Sequence, residues 1–169
     1  ETNYKLQLKK AVEKIEVLQG DLKKEEIYSH KNFVEPMLKY IVNDFKNSKI
    51  RFDDDSIGAM VICDSSAQAK KMYEIFQSKY AKLEVINNEN FSAQLVAEPQ
   101  NTYGTNDIEI NRDLTAKIIL HDIGTKQDRK DWVEEFKEGK VDFLFVYNML
   151  LTGFDAPRLK KLYIGRIIR

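Results

Sequence analysis

The sequence has one cysteine, Cys63, one tryptophan, three prolines and seven glycines. A lone thiol excludes an internal disulfide framework and a thiolate metal cluster. With so little proline and glycine and 43% hydrophobic residues, the composition excludes extensive disorder, a collagen repeat and a mucin-like stalk. No run approaches the roughly 18 apolar residues of a membrane-spanning helix. Surplus charge of either sign is also missing, because 27 Lys and Arg balance 27 Asp and Glu. That balance does not exclude nucleic acid as a partner, since local charge sets a contact surface. What is present, 169 residues with 11% aromatics, suffices for one core, hence one domain or one domain with an appendage. The chain opens on Glu1 with nothing resembling a secretion signal, which fits a piece of a longer protein.

Residues 1–50 are polar, with apolar positions at helical spacing. Leu8, Ala11, Val12, Ile15 and Leu18 make one stripe, and Gly20 is a natural stop. The pattern predicts a short helix over Leu22–Tyr28 and a third helix, capped by Asn32, with Pro36 in its first turn and Met37, Ile41 and Phe45 on one side. This helical appendage or linker has few large core residues. It needs another surface to pack on, either the domain that follows or one outside this chain.

From residue 51 the character changes. Ile57-Gly58-Ala59-Met60-Val61-Ile62-Cys63 is a nearly continuous apolar run, as in a parallel strand covered on both faces. Ser65 and Gln68 have capping-box spacing, and Met72, Tyr73, Phe76 and Tyr80 give the next helix an apolar side. Lys82–Ile86 is a further strand candidate. Residues 87–115 read as an irregular segment or insertion, because Asn87, Asn88, Asn90, Asn101, Asn106 and Asn111 compete for local hydrogen bonds. Ala116–Leu120 is again strand-like. Thr125 and Asp128 have capping-box spacing, Trp132, Val133 and Phe136 form a buried helix side, and Gly139 ends it. Val141–Tyr147 and Leu159–Ile164 complete the strands. Alternation of strand and helix with short joins predicts an α/β fold, a mostly parallel sheet flanked by helices over 51–169.

Leu151-Thr152-Gly153-Phe154-Asp155-Ala156-Pro157 follows a strong strand, on the side where α/β proteins place ligands. Gly153 permits a tight turn, Thr152 offers a hydroxyl, and Asp155 offers a carboxylate to a ribose hydroxyl or to water on magnesium. An ordinary strand-to-loop turn accounts for the same residues. His121-Asp122 hints at acid–base or metal chemistry, but strand neighbours point to opposite faces and His30 is far away in sequence. Trp132 and Cys63 read as core. From Arg158 to Arg169 the tail carries Arg158, Lys160, Lys161, Arg166 and Arg169 and no acid. Either it faces phosphates, releasing counterions, or it is a sheet edge paired with acidic groups of a neighbour.

Phe145-Val146-Tyr147-Asn148-Met149-Leu150 and the Leu151–Pro157 segment that continues into Arg158 and Leu159 together resemble the fifth helicase motif of type I restriction enzyme motor subunits, which are superfamily 2 translocases. Ala59-Met60-Val61-Ile62-Cys63-Asp64-Ser65-Ser66 resembles the fourth-motif strand and helix start of the same domain. Ile119-Leu120-His121-Asp122 and the helix ending in Phe136-Lys137-Glu138-Gly139-Lys140 resemble the segment between them. The resemblance covers about residues 57–80 and 116–165.

The resemblance implies a second RecA-like motor domain, a P-loop NTPase-like fold without the P-loop, ending just before the sixth motif. No G-x-x-x-x-G-K-[ST] or D-E-x-H sequence occurs in the chain, and the family's nuclease motif is absent too. ATP and Mg2+ would then be held mostly by the first motor domain. Gly153 and Asp155 would face the nucleotide, and Thr152 would couple that site to DNA. Asp64, Ser65 and Ser66 would meet DNA phosphates at a helix start, with Ser65 open to the alternative of being simply a cap. His121, Arg158 and Lys160 are further candidates for the DNA backbone. Gly165-Arg166-Ile167-Ile168-Arg169 imitates a sixth-motif ending, whose arginines reach the γ-phosphate. A strand end near the nucleotide cleft is the competing account of Arg166 and Arg169.

The implied partners are double-stranded DNA, the first motor and nuclease domains of the parent chain, and specificity and methylation subunits, in the cytoplasm of a bacterium or archaeon. The parent would be a type I site-specific deoxyribonuclease with ATP-dependent translocase activity. This reading places the Thr152–Asp155 turn at the open rim of the sheet, on one exposed face with Asp64–Ser66. The alternative is a non-catalytic α/β protein-interaction or nucleic-acid-binding domain, with Asp155 tied up in local hydrogen bonds.

Overall fold

Short apolar segments pair into one parallel four-stranded sheet, in the order β2-β3-β1-β4. They are β1 (Gly58–Ile62), β2 (Ala116–Ile119), β3 (Phe143–Val146) and β4 (Leu159–Ile164). The structure, a computed structural model, describes residues 6–13, 24–81, 113–149 and 154–165. Helical residues 6–13 (α1), α2 (Lys24–Ser29), α3 (Lys31–Phe52), α4 (Ser66–Lys79) and α5 (Lys126–Lys137) flank the sheet. The strand expected at Lys82–Ile86 and most of the irregular segment near 87–115 lie outside the described residues. On either side of that gap, Ala81 and Leu114 meet in an isolated parallel bridge. No helix among the described residues is long and apolar enough to cross a membrane.

Successive strand residues point to opposite faces of a sheet, and two cores follow from this alternation. Ala59, Val61, Phe143 and Phe145 turn toward α3 and α4 and join Phe33, Met37, Ile41, Phe45, Met72 and Phe76. The Phe76 ring lies 5.4 Å from Phe143 and 5.6 Å from Phe145, and Phe45 lies 4.4 Å from Phe143. Met60, Leu144, Val146 and Ile119 form the other core beneath Phe136 and Ala156, with Trp132 and Phe154 alongside. β1 and β3 are thus covered on both faces, which is why they read as unbroken apolar runs.

The third helix departs from its sequence pattern at both ends. Its cap is His30, not Asn32: the His30 Nδ1 accepts from the Asn32 backbone N–H at 3.1 Å. Pro36 then falls inside the helix beyond the first turn, and the helix runs on to Phe52, where Asp53 ends it at φ 47. Its stripe of Phe33, Val34, Met37, Leu38, Ile41, Val42 and Phe45 belongs to the same core as β1 and β3. The surface that α3 needs is therefore this sheet.

A register shift opposite Gly58 and Ala59 inserts an extra residue in β4: Leu159 pairs with Gly58, but Lys161 pairs with Ala59. The bulge flips the side-chain alternation. Leu159 packs under the Phe136 core, while Lys161 and Tyr163 reach the other side and meet α3. There Asp44 accepts from the Tyr163 hydroxyl at 2.7 Å and from Lys161 Nζ at 3.0 Å. Burial works against the Asp44 charge, but these two donors outweigh it and hold the carboxyl below its ordinary value. The Tyr163 phenol is pushed up by burial and by that carboxylate.

Two outcomes test this packing. Phe76→Ala, which empties a fully buried site between three rings, should cost about 3–5 kcal/mol in urea unfolding. Because the Asp44 carboxyl is lowered in the fold, its contribution is complete above the ordinary value of 3.8 and is lost as pH falls through the folded value. Unfolding measured between pH 7 and pH 3 should therefore show a smaller acid loss in Asp44→Asn than in the native protein. An equal acid loss would remove the role given to Asp44.

Candidate functional site

The strand registers bring Ile119, Val146, Ile62 and Ile164 into one row, so all four strands leave the sheet along one carboxyl rim. After β1 the chain turns onto the face covered by α4 and travels toward β2. After β3 it crosses the opposite face toward β4. β1 and β3 are neighbours, so their connections part company between them. In open α/β sheets that parting is where a ligand crevice forms.

Asp64, Ser65 and Ser66 stand at this rim. Ser65 caps α4 in extended backbone, its Oγ accepting from the Gln68 N–H at 3.1 Å. Capping takes only a lone pair of the hydroxyl, so its proton stays available to a phosphate oxygen, and cap and contact are compatible roles. Ser65–Gln68 is not a reciprocal box, however. The Gln68 Oε1 accepts from the Asp64 N–H at 2.6 Å, and its Nε2 donates to the Gly165 carbonyl. The complete box is Thr125–Asp128, with both bonds present. Cys63 is core: burial, with Asp64 nearby, pushes its thiol up to about 12, so it is inert at neutral pH.

His121 is exposed in the turn after β2, not in the strand. Its neighbour Asp122 accepts from Lys70 Nζ at 2.5 Å, and that hydrogen bond first of all holds the carboxyl below its usual range. Arg129 fixes the turn from below, with Nη1 at 2.9 Å from the Ile123 carbonyl and 2.7 Å from that of Gly124. Gly124 is at φ +64, and a Cβ there would stand 2.7 Å from the Trp132 ring. Trp132 itself is half-buried against the Phe136 core, as its helix spacing predicts. Asn148, just past β3, is exposed at φ 51.

Thr152 and Gly153 lie outside the described residues, as do Arg166 and Arg169. Asp155 is exposed, and among the described residues its carboxylate has no hydrogen-bonded or ionic partner. Its neighbours show where it stands. The Phe154 ring is 6.0 Å from Phe136, the Ala156 carbonyl accepts from the Leu159 N–H at 2.9 Å, and the Arg158 carbonyl accepts from Gly58 N–H at 2.7 Å. Asp155 therefore sits by the amino-terminal ends of β1 and β4, at the end of the sheet opposite Asp64–Ser66. The expectation of one shared rim is corrected: β3 and β4 are parallel, so the chain between them must run back across the sheet before β4 begins.

Arg158 is corrected as well. It is 8% exposed, and its guanidinium is used internally, Nη1 donating to the carbonyls of Phe136 (2.6 Å) and Val141 while Nε donates to that of Ser56 (3.2 Å). It lies 5.0 Å from the Phe136 ring centroid. It fastens the end of α5 and the loop before β1 to the start of β4, and offers nothing to a phosphate. Lys160 is exposed but pairs with Asp54 at 2.5 Å, and this bond, helped by Ser56, takes the Asp54 carboxyl down to about 2. Lys161 serves Asp44. Of the described basic tail, Lys160 and Lys161 thus meet acids of their own chain and Arg158 meets backbone carbonyls. Gln68 and Arg158 are the structural finds that sequence spacing misses, since each bonds backbone distant in sequence.

A sequence profile for the family described as type I restriction enzyme subunit R domain 3 matches residues 55–169. Over 168 residues the chain is 31% identical to the Methanocaldococcus jannaschii protein named "Putative type I restriction enzyme MjaVIIIP endonuclease subunit", a match covering 95% of this chain and 14% of that protein. The crystal structure of the Pyrococcus furiosus Hef helicase domain is similar at a TM-score of 0.48 and 15% identity, over 95% of this chain and 29% of that one.

Replacing Arg158 by Met should lower unfolding stability by about 2–4 kcal/mol, because buried carbonyls lose a charged donor. Arg158→Lys should recover little of this, since one ammonium cannot reproduce the guanidinium fork. Full recovery in the Lys variant, read from denaturant midpoints, would contradict the bonding described.

Proposed function

As the chain belongs to the family of type I restriction enzyme subunit R domain 3, we propose that it is the second motor domain of an ATP-dependent double-stranded DNA translocase within a restriction endonuclease subunit. What supports this reading is the family match over residues 55–169, with the capped start of α4 at the carboxyl rim as the DNA-facing element. The motor reading expected Asp155 on that same rim, and its place at the opposite end of the sheet counts against that part of it. The exposed Asp155 carboxylate is what the motor reading expects, whereas a turn and a helix start on opposite ends of the sheet, not on one face, are what the alternative of a non-catalytic interaction domain expects.

In this proposal nucleotide meets the Asp155 end, where a carboxylate can accept from a ribose hydroxyl or hold a water. Gly153, Arg166 and Arg169 are assigned to the nucleotide on the family resemblance. DNA phosphates meet the carboxyl rim at Ser65 and Ser66, with Asp64, His121 and Thr152 nearby in role. Lys70 offsets the Asp122 charge that would otherwise repel a phosphate. Among the described residues no group of three or more His, Cys, Asp or Glu could hold a metal ion. Mg2+ and most ATP contacts are assigned, as the family resemblance implies, to the first motor domain, which would close on this one around ATP. The nuclease domain and the specificity and methylation subunits are the further proposed partners, in the cytoplasm. β1 is five residues long, about 16 Å, and links the two ends as a stiff rod.

In the full-length protein that contains this domain, Asp155→Ala should reduce DNA-dependent ATP turnover by about tenfold or more. Turnover at the native rate would remove Asp155 from the nucleotide site.

A further inference from the structure

We infer that Gln68 is a positioning residue that couples the DNA-facing start of α4 to the chain leaving β4. The inference rests on the motor reading above and adds to it a path between the rim and the segment that follows Gly165.

Gln68 is fully buried, one of only three buried polar or charged residues among those described, with Ser48 and Arg158. A buried primary amide is stabilising only where both its ends are bonded. Here the two ends reach different segments. Oε1 accepts from Asp64 N–H at 2.6 Å, at the exit of β1, and Nε2 donates to the Gly165 carbonyl, at the exit of β4. The amide has one possible orientation, because a backbone N–H needs the oxygen and a carbonyl needs the nitrogen. Helix capping does not require this residue type, since Ser65 uses only the backbone N–H of Gln68.

The partner segment is fitted to the clamp. Gly165 N–H donates to the Ile62 carbonyl at 2.7 Å, extending the β1–β4 pairing by one bond. A Cβ on Gly165 would stand 2.7 Å from Gln68 Oε1, 3.1 Å from the Ile62 carbonyl oxygen and 3.2 Å from Cys63 Cα. The glycine is needed for room, not for its backbone angle. Loop 63–65 and Gly165 are thus held on each other by a side chain and by backbone, and neither can shift without the other. A phosphate that draws the α4 start toward it moves Asp64, and the amide passes that movement to Gly165.

Gln68→Glu separates the two bonds. The carboxylate keeps an acceptor for Asp64 N–H but turns an oxygen toward the Gly165 carbonyl, which it repels. The experiment is amide hydrogen exchange of the full-length protein with and without duplex DNA. In the native protein DNA should slow exchange by about tenfold or more both in the peptide holding Asp64–Ser66 and in that holding Gly165, the scale of one buried hydrogen bond. In Gln68→Glu the first slowing should remain and the second should disappear. A purely structural role would raise exchange with and without DNA alike and leave the DNA-induced difference at Gly165. That result overturns the inference, as does native protein in which DNA protects Asp64–Ser66 alone. DNA with no effect at either place overturns the motor reading itself. If Gln68→Glu does not fold, Gly165→Ala breaks the clamp from the other side and is held to the same two readouts.

Discussion

Parallel strands all leave a sheet at the same end, so each connection must carry the chain back before the next strand begins. Most of what positions the functional residues here follows from that constraint. The exits of β1 to β4 share one rim, and the α4 start lies there because a helix after β1 can begin nowhere else. The stretch from β3 to β4 has no helix of its own among the described residues. It crosses the Phe136 core through Phe154 and Ala156 and leaves Asp155 exposed at the far end. One sheet thus separates two candidate surfaces, and β1 joins them. For a motor domain that separation is useful, since nucleotide and DNA need distinct surfaces whose states are linked.

Buried polar groups tie the strands together at opposite ends of the sheet. At the amino end, Arg158 draws the end of α5 and the loop before β1 onto the start of β4. At the carboxyl end, Gln68 draws the exit of β4 onto that of β1. Apolar contacts are non-directional and would tolerate small slips of strand against strand. Hydrogen bonds to single carbonyls do not, because a buried acceptor left unpaired is costly. β4 has a sheet neighbour on one side only among the described residues, and its Leu162 and Ile164 are exposed. The side-chain bonds of Arg158 and Gln68, with those of Asp44 to Tyr163 and Lys161, fix its register.

Much of the architecture was legible from residue order. Gly58–Ile62 and Phe143–Val146 announce doubly covered strands by their unbroken apolar runs, and the Thr125–Asp128 box is local enough to be read from spacing. Cys63 and Trp132 are where apolar patterning puts them. Most of the misreadings share one cause, that the deciding partner is remote in sequence; the cap of α3 is the exception, its partner being two residues away. Asn32 looked like a cap, but the His30 ring takes its N–H. Arg158 looked like a phosphate ligand because nothing around it in sequence reveals the carbonyls of Phe136 and Val141. Gln68 looked like half of a box, but its side chain bonds Asp64 and, 97 positions away, Gly165. Asp155 was placed at the wrong end because a turn that begins at the rim can finish across the sheet. The parts assigned to Thr152, Gly153, Arg166 and Arg169 rest on sequence alone.

The central claim is that the two ends of this sheet serve different ligands. Site-specific photocrosslinking tests it in the full-length protein, with a crosslinker placed at position 66 or at position 155 and duplex DNA added. The account predicts capture of DNA from position 66 and not from position 155. Capture from position 155 as efficient as that from 66, or capture from 155 alone, would contradict it.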